Sequence, residues 1–272
     1  MAPGEKIDLW VFNFFLGTLG FVLVIGLTGC TAPQAFPRGE VVDLTYSFDE
    51  QTLYWPHNQT FQWQKTSWGP HPHGYWYASA NFSASEHGGT HIDAPIHFAR
   101  NGVSVDQIPL SHLMGNAIVL DIRTKVTSNP DYTLQLIDIM DWESQHGRIP
   151  AQSIVFLLTG WGRFWPQPTK YFGSPTPSDP LSLHFPSFSK ASAEFLVKER
   201  EVAGIGVDTS SIDPGQSRDF PVHQILAGRN CFALENVANL EQLPHTGTWV
   251  IALPMKIKGG TGAPVRILGL IR

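Results

Sequence analysis

The 272-residue chain is poor in cysteine and in charge, and both shortages exclude classes of protein. Charged residues make up 15% of the sequence and the formal net charge is −5, so we expect no basic surface for nucleic-acid phosphates and no nucleic-acid partner. The two cysteines are Cys30, beside an apolar N-terminal run, and Cys231, inside an apolar segment. This excludes a disulfide-stabilised fold, and Cys231 is predicted to be a small core residue.

One long hydrophobic run covers residues 9–27 and is interrupted by Asn13. A run of about 20 apolar residues can cross a bilayer or serve as a secretory signal. The run ends at Leu27-Thr28-Gly29-Cys30, which resembles a bacterial lipoprotein processing site, and Cys30 could then carry a lipid tether. We therefore expect a signal peptide or membrane anchor over residues 1–30, one domain over residues 31–272, and a secreted or extracytoplasmic protein.

Short β-branched runs bounded by glycine, proline or asparagine predict strands. They lie at residues 41–46, 117–122, 153–158, 204–207, 249–253 and 265–270. Helical periodicity is present at residues 132–145 and 189–200, the second with Ser187 or Ser189 as an N-cap. Few helices among many strands predict an α/β or α+β domain with a mixed sheet.

Histidine is abundant, and three of the 11 histidines fall with an aspartate in one short segment. This segment reads Ser85-Glu86-His87-Gly88-Gly89-Thr90-His91-Ile92-Asp93-Ala94-Pro95-Ile96-His97-Phe98. The glycine pair disfavours a regular helix. If His91-Ile92-Asp93 is extended, the imidazole and the carboxylate point to the same side, and a turn at Gly88-Gly89 lets His87 reach the same point.

These three side chains offer nitrogen and oxygen donors without a thiolate. Such a set suits Zn²⁺, Mn²⁺ or Fe²⁺ in a catalytic site, because three protein ligands leave positions open for water and substrate. The alternative is a chance cluster in a loop, or histidines that satisfy buried hydrogen bonds. The glycine turn, and Pro95 soon after the carboxylate, favour the metal site.

The pattern His-Gly-Gly-Thr-His-x-Asp-Ala-Pro-x-His-Phe at residues 87–98 resembles the signature of the cyclase family of metal-dependent hydrolases, which includes kynurenine formamidases and isatin hydrolases. Shorter pieces extend the similarity over nearly all of the chain from residue 42 onward: Trp55-Pro56, Thr159-Gly160-Trp161, Gly206-Val207-Asp208-Thr209, His223 and Glu235. The resemblance implies an α/β fold, a swivelling β/β/α domain with a mixed β-sheet and flanking helices, assembled as a homodimer or homotetramer.

The resemblance also implies roles for individual residues. His97 is implied as the catalytic acid and base. The implied metal ligands are His87, His91 and Asp93 for a first ion, with His223 and Glu235 for a second. Some family members have one ion, often manganese, and a distal histidine that faces the substrate, so one or two Mn²⁺ or Zn²⁺ ions are expected. Trp55 is implied as an aromatic substrate contact, and Trp161 is expected either to wall the pocket or to lie in the core.

The predicted reaction is hydrolysis of an amide C–N bond by a metal-activated water, in a small aromatic substrate that is an aryl formamide or a cyclic amide. His97 would accept the proton of the water and pass it to the leaving amine. Two other functions stay open. His91, Asp93 and His223 match the two-histidine, one-carboxylate triad of non-haem iron oxygenases, and a catalytically silent binding protein could keep the same metal site.

Overall fold

The computed structural model describes residues 39–272. The signal peptide or anchor predicted over residues 1–30, with Cys30, lies outside these residues. Between residues 39 and 272, no helix is both long and apolar enough to cross a bilayer.

Strands dominate the described chain. The strands are β1 (Val41–Asp43), β2 (Gln62–Pro70), β3 (Trp76–Ser83), β4 (His91–Asp93), β5 (Met114–Asp121), β6 (Thr133–Leu134), β7 (Ile154–Leu158), β8 (Ser187–Phe188), β9 (Gly204–Val207), β10 (Phe232–Glu235), β11 (Thr248–Pro254) and β12 (Gly262–Ile271). The α-helices are α1 (Arg123–Ser128), α2 (Leu136–His146), α3 (Pro168–Tyr171), α4 (Lys190–Glu199) and α5 (Pro221–Ala227).

Eight of these strands form one sheet in the order β1-β12-β11-β5-β7-β9-β10-β4, and β4 pairs back onto β12, so the seven strands from β12 to β4 close into a ring. The pairs β5–β7, β7–β9 and β9–β10 are parallel, whereas the other pairs in the ring are antiparallel. The predicted α/β fold with a mixed sheet is therefore confirmed.

The expected swivelling β/β/α arrangement needs correction, because the sheet closes on itself like a barrel. The closure depends on β12, whose ten residues are long enough for two neighbours along one edge. On this edge, residues 262–264 pair with β4 and residues 268–270 pair with β1, while the other edge pairs with β11. Joining the two ends of the sheet in this way leaves no open edge along the ring.

The closed sheet separates two hydrophobic cores, and alternate residues of one strand face each of them. In β5, Val119 faces the core inside the sheet and Leu120 faces the core between the sheet and the helices. β7 is buried along its whole length, as expected for a parallel strand covered on both faces. Trp142 of α2 and Leu196 of α4 pack onto the second core.

The local predictions agree with the structure in most places. The six predicted strands coincide with β1, β5, β7, β9, β11 and β12. Ser189 caps α4 and accepts a hydrogen bond from the backbone N–H of Ser192, which confirms one of the two predicted caps. The helix predicted from residue 132 begins only at Leu136, because residues 133–134 form β6 and pair with β8. Cys231 is buried, as predicted.

Candidate metal centre

Strand β4 presents the central motif as the sequence predicts. It lies between β10 and β12, with Ile92 fully buried in the core inside the closed sheet. His91 and Asp93 therefore point to the opposite side of the strand. Antiparallel pairing sets Glu235 of β10 directly across from His91, so the two side chains meet on the same face.

Four side chains surround one point. The Nε2 atom of His91 lies 3.3 Å from Asp93 Oδ1 and 3.5 Å from Glu235 Oε2. The Nε2 atom of His223 lies 3.2 Å from Asp93 Oδ2 and 3.2 Å from Glu235 Oε1. Two ligands that each bind one ion at about 2.1 Å lie roughly 3.0–3.4 Å apart in octahedral or tetrahedral geometry. His223 and Glu235, predicted for a second ion, thus face the same point as His91 and Asp93.

His87 approaches the same carboxylate through the predicted glycine turn. Its Nδ1 atom lies 2.6 Å from Asp93 Oδ1. Gly89 has a positive φ of 57°, and Gly88 packs so closely that a Cβ there would lie 2.0 Å from the ring of Tyr54. Gly89 is needed for its backbone conformation, and Gly88 is needed because a larger side chain would have no space beside Tyr54.

His97 stands next to this group. Its ring stacks on the ring of His87, with centroids 3.9 Å apart and 19° between the planes. With His87 and Asp93 it forms a second set of donors whose ligand atoms lie within 4.8 Å of one another. Loss of hydration lowers the pKa of His97 to about 4, and the neighbouring His87 and His223 rings lower this pKa further against the opposing effect of Asp93. His97 is therefore a neutral ring near pH 7.

Asp213 is a site residue that the sequence did not reveal. It is fully buried and accepts a hydrogen bond from His223 Nδ1 at 2.7 Å. His91 is oriented in a similar way, with its Nδ1 donating to the backbone carbonyl of Gly89 at 3.0 Å. With the proton fixed on Nδ1, each ring turns the lone pair of its Nε2 towards the common point. No motif marks Asp213, which is ten residues from its partner.

The electrostatics of the centre favour a cation. Burial would raise the pKa of the Asp93 carboxyl, but the facing His87 and His91 rings and its hydrogen bonds hold this pKa well below its ordinary value. Burial would lower the pKa of His223, yet hydrogen bonds to Asp213, Asp93 and Glu235 raise it well above the ordinary value. Buried anions need a counter-charge, which protonated histidines supply when no metal is bound. Metal binding would release such protons.

A cavity opens onto these donors. Its aromatic walls are Tyr54, Trp55, Phe98, Phe172 and Phe220. The ring of Trp55 lies edge-on to that of Phe220, with centroids 6.2 Å apart. Trp161 lies elsewhere, buried in the core between sheet and helices, where its Nε1 donates to the carbonyl of Tyr171 at 2.6 Å. The structure therefore places Trp55 at the cavity and Trp161 outside its lining.

Two hydroxyls of the cavity-lining residues, those of Tyr54 and Ser210, have no hydrogen-bond partner among the described residues. The two residues are 7% and 8% exposed. A buried hydroxyl without a partner costs about 1–3 kcal/mol, so a bound molecule that offers an acceptor to either group recovers part of this free energy. Neither residue lies in a pattern from which the sequence could have predicted this role.

The chain matches the model of the Cyclase family over residues 42–214, and it belongs to that family. It is 32% identical over 194 residues to the isatin hydrolase of Roseibium aggregatum, covering 68% of this chain and 72% of the relative. It is 30% identical over 233 residues to the kynurenine formamidase of Salinibacter ruber, covering 83% and 95%. The solved structure of isatin hydrolase A from Ralstonia solanacearum aligns with a TM-score of 0.79 and 34% identity, covering 86% and 92%.

These comparisons confirm the predicted family. They also confirm the predicted enzyme class, a hydrolase that acts on non-peptide C–N bonds.

Proposed function

We propose that the protein hydrolyses the amide C–N bond of a small aromatic substrate, either a cyclic amide of the isatin type or an aryl formamide of the N-formylkynurenine type. The observation that carries this proposal is the convergence of two imidazoles and two carboxylates on one point beside an aromatic cavity. The isatin hydrolase and kynurenine formamidase relatives support the two substrate types.

A divalent cation, Mn²⁺ or Zn²⁺, fits this centre because the donors are nitrogen and oxygen atoms without a thiolate. One ion would be held by His91, Asp93, His223 and Glu235, with His87 beside Asp93. A second ion would be held by His87 and Asp93, which leaves His97 beside them free to carry protons. When bound, such an ion lowers the pKa of a water ligand towards about 7 and polarises a carbonyl oxygen.

His97 is the group placed to move protons, because its imidazole lines the cavity beside His87 and Asp93. It would accept a proton from the attacking water and return it to the nitrogen that leaves, since an amide nitrogen departs only when protonated. Trp55 and Phe220 would hold the flat ring of the substrate against the cavity wall.

The test is an assay of purified protein loaded with Mn²⁺ or Zn²⁺, using isatin and N-formylkynurenine under air and under argon. We expect hydrolysis that is independent of oxygen and is lost on chelation. An oxygen-dependent reaction would indicate the iron oxygenase instead, and binding without turnover would indicate a silent protein. His91→Ala should abolish turnover, whereas His112→Ala, at a histidine outside the cavity lining, should leave it unchanged.

We further propose an extracytoplasmic location, a membrane tether through the N-terminal segment, and assembly as a homodimer or homotetramer. The apolar run at residues 9–27 supports the location, and the family resemblance supports the assembly. Cell fractionation with N-terminal sequencing of the mature chain tests the location. A cytosolic protein with an intact N-terminus would contradict it.

A further inference from the structure

Thr261 joins a carboxylate to one of the histidines of the metal centre. It directly precedes β12, and its side chain lies between those of Glu86 and His87. The Thr261 hydroxyl donates to Glu86 Oε2 at 2.5 Å, and the same oxygen accepts the backbone N–H of Thr261 at 2.9 Å. The Oγ1 atom of Thr261 also lies 2.9 Å from His87 Nε2. The three side chains therefore form one hydrogen-bonded chain that ends at the imidazole of His87.

The direction of these hydrogen bonds decides which nitrogen of His87 keeps its proton. A hydroxyl has one hydrogen to donate, and that of Thr261 is directed to a carboxylate, which only accepts. Towards His87 the Thr261 oxygen is therefore an acceptor, so Nε2 carries a proton. This leaves Nδ1 as the one ring nitrogen that can give a lone pair to a cation. Nδ1 lies 2.6 Å from Asp93 Oδ1, on the side of the metal centre.

The other two histidines that contact Asp93 are oriented the opposite way. His91 donates from Nδ1 to the carbonyl of Gly89, and His223 donates from Nδ1 to Asp213. Both rings therefore turn Nε2 towards the centre. Because His87 approaches with Nδ1, it needs a partner on its outer nitrogen. Among residues 39–272, that hydrogen-bond partner is Thr261.

The ring of His87 is also held in place by packing. Gly262, next to Thr261, lies so close that a Cβ there would be 2.5 Å from His87 Cε1. His97 stacks on one face of the same ring, with centroids 3.9 Å apart. These contacts would keep the ring in position after loss of the Thr261 hydroxyl. Such a loss would therefore act mainly on the placement of the ring proton.

We propose that Glu86 and Thr261 are positioning residues, which hold a proton on Nε2 of His87 and so make Nδ1 the nitrogen that binds a cation beside Asp93. This inference rests on the metal centre proposed above. Neither Glu86 nor Thr261 lines the cavity, so neither is placed to touch the substrate. A hydrogen-bonded partner of a ligand histidine typically contributes about 10–100-fold to metal affinity.

The test combines two measurements on protein loaded with Zn²⁺, a diamagnetic ion suited to NMR. Long-range ¹H–¹⁵N spectra show which nitrogen of each histidine ring carries a proton, and competition with a chelator gives the zinc affinity. For the native protein we expect the proton of His87 on Nε2. We expect the protons of His91 and His223 on Nδ1. Neither measurement depends on a substrate or on turnover.

Two variants interrupt the hydrogen-bonded chain in different ways. Thr261→Val keeps the shape of the side chain but removes the acceptor for Nε2–H, and it should weaken zinc binding by about 10-fold. Glu86→Ala leaves the Thr261 hydroxyl free to donate to Nε2. The proton of His87 should then move to Nδ1, and zinc affinity should fall by about as much. Thr261→Ser retains the hydroxyl and should bind zinc as the native protein does.

Asp106 provides the matched control, because it holds the neighbouring backbone in the same way as Glu86. Its Oδ1 atom accepts from the hydroxyl of Ser104 at 2.6 Å and from the backbone N–H of Gly259 at 2.9 Å. Gly259 lies two residues before Thr261. Asp106→Ala therefore loosens the same segment without removing a partner of the His87 ring. It should leave the proton of His87 on Nε2 and the zinc affinity unchanged.

Three results would overturn the proposal. They are a native His87 with its proton on Nδ1, native zinc affinity in folded Thr261→Val, and an equal loss of affinity in Asp106→Ala. Circular dichroism checks folding, and Glu86→Ala carries the test if Thr261→Val does not fold. A native protein that binds no zinc would overturn the metal centre together with this proposal. Zinc binding that is unchanged in the variants would reject only the roles of Glu86 and Thr261.

Discussion

Asp213 is the carboxylate that orients His223, and replacing it tests whether that orientation matters for metal binding. In the native chain it accepts hydrogen bonds from His223 Nδ1 at 2.7 Å and from the backbone N–H groups of Val222 and His223 at 2.9 Å and 3.0 Å. Asp213→Ala removes all three acceptors at a fully buried position. The imidazole then loses the partner that fixes its proton on Nδ1 and its lone pair towards the centre.

The expected loss of metal affinity is about 10–100-fold, which corresponds to about 1.4–2.7 kcal/mol. The variant should also be less stable, because each donor left unpaired in the interior costs about 1–3 kcal/mol unless water reaches it. Asp213→Asn keeps the shape and an acceptor oxygen but loses the charge, so its affinity should lie between those of the native protein and the alanine variant.

The assay is competition for Mn²⁺ or Zn²⁺ between the folded protein and a chelator of known affinity. Asp131→Ala is the matched control, because Asp131 also lies 2.7 Å from a histidine Nδ1, that of His184, but on the surface. The control should bind metal as the native protein does. Unchanged affinity in folded Asp213→Ala, or an equal loss in Asp131→Ala, would refute the reasoning.

Four further predictions follow from the site. His97→Ala should keep the metal but lower kcat by about 100-fold or more, because proton transfer is lost. Asp93→Ala should lose the metal in elemental analysis, because Asp93 contacts three of the histidines. Tyr54→Phe and Ser210→Ala should each lower kcat/KM by about 10-fold for a substrate that bonds their hydroxyls, whereas Ser153→Ala should not. The NMR signals of His97 in metal-free protein should not titrate between about pH 5.5 and 8, since its pKa is lowered to about 4.

Each of these predictions has a contrary result. Native turnover in His97→Ala would reject its role in proton transfer, and full metal content in Asp93→Ala would reject the ligand. Ser153 is also a buried hydroxyl without a partner among residues 39–272, but it lies outside the cavity lining. An equal loss of kcat/KM in Ser153→Ala would show that the losses in Tyr54→Phe and Ser210→Ala are structural. A His97 midpoint near pH 6.5 would show that its ring is as hydrated as in a free peptide.

The core of the site could be predicted because its geometry is local. Strand alternation sets the directions of His91 and Asp93, and two glycines set the turn that returns His87. Glu235 reaches them only through the pairing of β10 with β4, which no local pattern encodes and which only the family resemblance suggested. Asp213 is marked neither by a local pattern nor by the family resemblance, because only the folded chain brings its carboxylate to His223.

The fold, too, is predictable from the sequence where it depends on local patterns and not where it depends on contacts between distant segments. Six strands, β1, β5, β7, β9, β11 and β12, could be recognised one by one from short β-branched runs, whereas the buried β10 has no β-branched residue and could not. The closure of the sheet could not, because it depends on how far β12 extends past β1 towards β4. The β2–β3 hairpin could not be predicted from the sequence, because the bulge near Thr66 interrupts the alternation of aromatic and polar residues in β2. The position of Trp161 could not be predicted either, since a tryptophan beside glycines is compatible with both a cavity wall and a buried core.

The most direct test of the metal centre is anomalous diffraction from crystals of the Mn²⁺-loaded protein, recorded above the manganese edge. The account predicts a peak within about 2.0–2.3 Å of His91 Nε2 and of the Asp93 carboxylate, with His223 and Glu235 facing the same ion. A metal-loaded crystal with no peak between these four side chains, or with its ion bound elsewhere, would contradict it.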